Sequence, residues 1–142
     1  MMYAVIRIRG SVGMNRPMKD ALKMLRLNRK MHCVLVNDDE VTRGMLQKTK
    51  DYVTWGEIND DMLRLLIQKR ARKPGNIRLD KAESEVVFDK IKNEKKPVFD
   101  INKVFRLTPP SKGFKLPIKQ HFPKGEIGYR GEKINDLLKR MI

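Results

Sequence analysis

The residues with the clearest chemistry in this sequence are cations. Arg43-Gly44 precedes Met45-Leu46 where a helix is expected to open, and an arginine beside unsatisfied backbone N–H groups makes a phosphate site. Gly44 leaves two readings open, close approach of a phosphate backbone or close packing of another helix. Arg7, Arg9, Arg16, Arg26, Arg29 and Lys30 lie in a tract, residues 1–37, that holds eight Lys/Arg and one acid, Asp20. A second tract, residues 101–125, has six Lys/Arg and no acid, among them Arg106, Lys112, Lys115, Lys119 and Lys124. Lys48 and Arg130 complete the candidate set of RNA-contacting residues. Between the tracts, residues 38–70 set six bases against seven acids, so the electrostatic footprint belongs to the two ends. Such cations neutralise phosphates and release counterions, a chemistry that fits structured RNA.

Other chemistry is weakly represented. His32 and Cys33 are adjacent, so on a strand they point to opposite faces and cannot pair as base and nucleophile. His121 sits beside Phe122 in a basic stretch, where meeting RNA or solvent suits it better than general-base work. Asp38-Asp39-Glu40 reads as an acidic turn rather than a cation site. One cysteine and two histidines give no zinc set, and neither a Walker-type loop nor a dinucleotide fingerprint is present. No cofactor, structural metal or catalytic centre is expected. Tyr3, Trp55, Phe114, Phe122 and Tyr129 are the aromatic candidates for base stacking, with Tyr3 and Trp55 better read as packing residues.

The 142 residues, net charge +15 and 40% hydrophobic content describe a folded basic domain. No apolar run reaches the roughly 20 residues of a membrane span, and Met1 leads into a strand-like pattern, which predicts a cytosolic protein. Tyr3 to Arg9 alternates, with Ala4, Ile6 and Ile8 inward and a cationic outer face. Asn15 and Pro17 open a helix through Leu27; Met31 to Val36 is a strand; Thr42 to Tyr52 is a second helix; Val53 to Ile58 is a third strand. Asn59 caps a third helix, and Leu79 to Lys96 carries one more. Lys103 to Leu107 is strand-like. Ser111 to Gly131 is a Gly/Pro/Lys-rich extension with little apolar content, expected to order on a partner, and Glu132 to Ile142 is a closing amphipathic helix.

Leu22, Leu25, Leu27, Arg29, His32 and Val34, followed by Met45-Leu46 and Tyr52-Val53, form a pattern that resembles the ribosomal protein L-thirty family of the large subunit. Tyr3 to Gly10, Arg43-Gly44-Met45 and Lys50-Asp51-Tyr52-Val53 are similar to the same family. Phe105-Arg106-Leu107, Pro109-Pro110, Gly128-Tyr129-Arg130-Gly131-Glu132 and Ile134-Asn135 resemble its longer archaeal form. Ala21, Thr49, Ala71 and the single Gly125 depart from the pattern. The resemblance implies an α+β fold: a β-α-β-α-β core related to the ferredoxin-like arrangement, with a small antiparallel sheet and helices on one face. It divides the chain into a core at 1–58, a helical insertion at 59–100, and a strand, basic extension and terminal helix at 101–142. It further implies a monomer within the large ribosomal subunit, bound to 23S-type rRNA near the 5S rRNA and to neighbouring ribosomal proteins. Two other classes compete: a free-standing nucleic-acid chaperone, and an RNA-processing enzyme that would depend on His121 or Asp51.

Overall fold

In a computed structural model, residues 2–94 and 102–142 are described. The alternating opening forms β1 (Met2–Arg7), and α1 (Arg16–Met24) starts where Asn15 accepts a hydrogen bond from the Met18 N–H at 3.3 Å, with Pro17 in the first turn. β2 (His32–Asn37) precedes α2 (Glu40–Thr49), whose first-turn Thr42 N–H is capped by the Asp39 carboxylate at 2.7 Å. β3 (Val53–Glu57) leads to α3 (Asp60–Arg70), capped by Asn59, with Asp60 and Asp61 at its positive end and Lys69 and Arg70 at its negative end. A hairpin of β4 (Arg72–Lys73) and β5 (Ile77–Arg78) precedes α4 (Lys81–Glu94). The last two positions of the helix expected to Lys96 lie outside the described residues. β6 (Val104–Arg106), β7 (Gly128–Tyr129), a 3-10 turn (Gly131–Lys133) and α5 (Ile134–Met141) complete the chain.

The main sheet has the order β6-β2-β1-β3-β7. The first four strands are antiparallel, as the resemblance implies, whereas β7 joins parallel to β3, pairing Thr54 with Gly128. This sheet has helices on both faces, which corrects the one-faced arrangement. Ala4, Ile6, Cys33 and Phe105 face α3, α4 and α5 through Leu66, Phe88 and Leu138. Val5, Val34 and Trp55 face α1 and α2 through Leu22, Leu25 and Leu46. The cause lies in β1 itself, where Ala4, Val5 and Ile6 are all fully buried, so neither face can meet water.

The face of β1 expected to be cationic is therefore internal, and Arg7 lies beneath it, 4% exposed. It is tolerated there because its guanidinium donates to Leu27 O at 2.8 Å, Arg9 O at 2.9 Å and Ser11 Oγ at 2.7 Å. Among the departures from the family pattern, Thr49 is buried and bonds back to Met45 O at 3.0 Å, while Ala71 packs into the core beside Ile67.

Candidate nucleic-acid interface

Antiparallel pairing brings several chain segments to one end of the sheet. The end of β1, the start of β2, the start of β3 and the end of β6 meet there, so Ile6 stands opposite Cys33, Arg7 opposite Val53, and His32 opposite Arg106. Arg9 projects from this end with its guanidinium 4.8 Å from the Tyr52 ring centre and one N–H on Asp51 O at 3.2 Å. Lys30 lies against Gly10. Burial, then the positive charges of Arg106, Arg29 and Arg7, holds the His32 pKa below its ordinary value. Arg29, Lys30 and Arg106 are exposed here and face no carboxylate among the described residues.

The basic extension returns to the same end. His121 Nε2 is 2.8 Å from Asp51 Oδ1, on the residue whose carbonyl Arg9 holds. The extension has little apolar material and its composition predicts ordering on a partner, yet it is stitched by its own chain: Glu126 N–H to Pro117 O at 3.0 Å, Phe122 N–H to Ile127 O at 2.8 Å, and Arg140 Nη2 to Ser111 O at 3.0 Å. Its fastener is a buried ion pair. Arg130 Nη2 meets Glu126 Oε2 at 2.8 Å, its Nε donates to Thr54 Oγ1 at 2.9 Å, and Thr54 in turn donates to Gly128 O. Arg130 is 8% exposed and all these donors face inward, so it is a fastener and, like Arg7, leaves the set of surface contacts. Lys112, Lys115, Lys119 and Lys124 are all exposed on the loop that this fastener holds.

The remaining candidates lie on or directly beside the first two helices. Arg16 is exposed at the start of α1, and Arg26, also exposed, follows its last turn in a left-handed conformation with φ of 65°. On α2, Arg43 is bidentate to Asp38, with Nε–Oδ1 at 2.6 Å and Nη2–Oδ2 at 3.0 Å, so a phosphate there must displace a carboxylate. This arginine hydrogen bond is the main reason that Asp38 stays below the usual carboxylate range. Gly44 is exposed, and a Cβ added to it would meet nothing within 4 Å. Close helix packing is thus absent at Gly44, which leaves its backbone open to an outside group. Lys48 is exposed one turn further on.

Sequence reading missed Arg70 and Arg72, which line a cleft of about 260 Å³ together with Arg106, Asn76, Asn102 and Val104. The signal was the basic stretch around Pro74-Gly75, which begins where the near-neutral residues 38–70 end. Of the aromatic candidates, Trp55 is buried and Tyr3 half-buried, while Tyr129 is 49% exposed with its hydroxyl on Glu57 Oε1 at 2.8 Å. Burial pushes the Cys33 thiol up to about 12, which makes it a packing residue. Among the described residues no group of three or more His, Cys, Asp or Glu side chains could hold a metal, and no helix is long and apolar enough to cross a membrane.

Fold and charge together define a small basic α+β scaffold that presents unpaired cations at one end of a sheet and along a tethered loop. Residues 3–53 match the family described as Ribosomal protein L30p/L7e. The chain is 44% identical to the large ribosomal subunit protein uL30 of Archaeoglobus fulgidus, with 99% of each chain covered. It is 45% identical to the protein of the same name from Methanococcus maripaludis over 100% of both chains, and 41% identical to that of Methanosphaera stadtmanae over 99% and 100%. The chain belongs to the uL30 family of large ribosomal subunit proteins.

Proposed function

We propose that this chain is a non-catalytic structural constituent of the large subunit of the cytoplasmic ribosome and supports its assembly and translation. The observation that carries this reading is similarity along essentially the whole chain to archaeal proteins named for that subunit. The partner is 23S-type rRNA, in the neighbourhood of the 5S rRNA, together with adjacent ribosomal proteins, and the chain enters as a monomer. Arg9, Arg29, Lys30 and Arg106 engage phosphates at the sheet end, and Lys112, Lys115, Lys119 and Lys124 engage them along the extension. Arg16, Arg26, Arg43, Gly44 and Lys48 form the helix-borne contacts, the Arg43 contact requiring release of Asp38. The affinity of the free chain for naked rRNA draws mainly on counterion release and so weakens steeply with salt.

The test is sucrose-gradient fractionation of native lysate with a high-salt wash, followed by quantitation of this chain in each fraction. Comigration with large subunits at constant stoichiometry through the wash is expected. A broad distribution, or loss at moderate salt, would overturn the reading in favour of a free nucleic-acid chaperone.

A further inference from the structure

We infer that the cleft between the end of α3, the β4–β5 hairpin and β6 is a phosphate-binding site for the RNA backbone, with Arg70, Arg72 and Arg106 as its three cationic walls. The inference rests on the RNA-binding reading above and extends it to the basic stretch that follows the near-neutral residues 38–70.

The cleft has a volume of about 260 Å³ and, among the described residues, is lined by Arg70, Arg72, Arg106, Asn76, Asn102 and Val104, none of them acidic. Elsewhere Arg43 is bound to Asp38, Arg64 approaches Glu85, Lys92 pairs with Asp60, and Arg130 is buried against Glu126. Even Lys73, next to Arg72 in the same strand, is held by Glu83 at 2.7 Å. Among the described residues the three cleft arginines have no carboxylate partner.

A second observation concerns the hairpin. Arg72 stands directly opposite Arg78 across β4–β5, and like charges in that position repel. The last-turn position of Arg70 on α3 is favourable to a cation, but that accounts for neither Arg72 nor Arg106. Convergence of these side chains carries a repulsive cost in the free protein that an anion would relieve. The walls are also fixed relative to one another: the Asn102 N–H donates to Arg72 O at 2.7 Å, which ties the entry of β6 to the hairpin.

Guanidinium groups offer planar forks that match phosphate oxygens, and the Asn76 and Asn102 amides add neutral donors. An RNA phosphate suits the cleft better than a free anion because Arg106 belongs to both this cleft and the sheet-end cluster around His32 and Arg29. A continuous polyanion occupies both at once, which a single small ion cannot.

The experiment measures binding of the full chain to a large-subunit rRNA transcript over a salt series. Wild type is compared with an Arg70→Gln/Arg72→Gln variant, which leaves the sheet-end Arg106 in place, and with a control, Lys81→Gln/Lys139→Gln, which removes the same charge elsewhere. The slope of log K against log salt should fall by about 1 to 2 for the cleft variant and by less for the control. Its thermal midpoint should be unchanged or higher, because repulsion is removed. Equal slopes for the two variants would overturn the cleft while leaving RNA binding intact; failure of the wild type to bind would overturn both readings. In a second arm, the arginine Nε resonances of the cleft are followed during titration with an RNA oligonucleotide or with inorganic phosphate at equal phosphate concentration. Shifts with RNA alone support the proposal, and equal shifts with both would replace the RNA backbone by a free anion.

Discussion

Single cations differ in what surrounds them, and that difference decides their roles. Arg7 and Arg29 look alike in the sequence, yet Arg7 hands its donors to Leu27, Arg9 and Ser11 while Arg29 stands in water beside His32. Charge runs identified where cations are numerous but not which of them are used internally, because burial depends on partners distant along the chain. Gly44 was legible as a special position, but only the empty space above it separates an outside approach from helix packing. His32 leads to a pH prediction. Its folded pKa lies below the unfolded value of about 6.5, so its contribution to stability is complete above that value and is lost as pH falls through the folded pKa. Urea titrations at pH 7.5 and pH 5 should show wild type losing more stability on acidification than His32→Gln. An identical loss in both would remove His32 from the account.

At the level of elements, the strands and helices of the first 70 residues lie where alternation and capping put them, although β1 is buried on both faces where its alternation marks one as solvent-facing. The late segment was less legible. Residues 111–131 carry few apolar side chains, and the ion pair that orders them joins Glu126 to Arg130 and, through Thr54, to a strand 76 residues earlier. No local pattern announces a buried pair. Two glycines mark the same closure, since a Cβ on Gly56 would overlap Gly131 O, and one on Gly125 would overlap Gln120 O. Replacing Glu126 by Gln leaves the Arg130 charge buried without its counterion. The expected cost is about 3–5 kcal/mol. Chemical denaturation measures that loss, and limited trypsin digestion should then cut between Lys112 and Lys124 faster than in wild type. An unchanged digestion pattern would mean that the extension is held by other contacts.

The molecule as a whole has a core that draws on its beginning, middle and end, since Ala4 and Ile6 pack with Leu66, Phe88 and Leu138 in one cluster. The resemblance conveyed the helices of the core, while the local hints that later helices cover the second face were the apolar run Ala4-Val5-Ile6 in β1 and the apolar face of the closing helix. Removing residues 132–142 strips Ile134, Leu137, Leu138 and Met141 from that face. Large-to-small losses in a core cost about 2–5 kcal/mol each, and four together are comparable to or larger than the roughly 5–15 kcal/mol that stabilises a domain. The truncated chain should show no cooperative thermal transition by circular dichroism; a sharp transition near the wild-type midpoint would contradict the shared core. The parallel seat of β7 beside β3 has a consequence for biosynthesis. A nascent chain emerges from its amino end, so β3 waits with an unfilled edge, and the face of β1 toward α5 with a gap, until the final residues are translated. The sheet closes only after this late segment has emerged, and any factor that meets the chain earlier meets an unfinished edge.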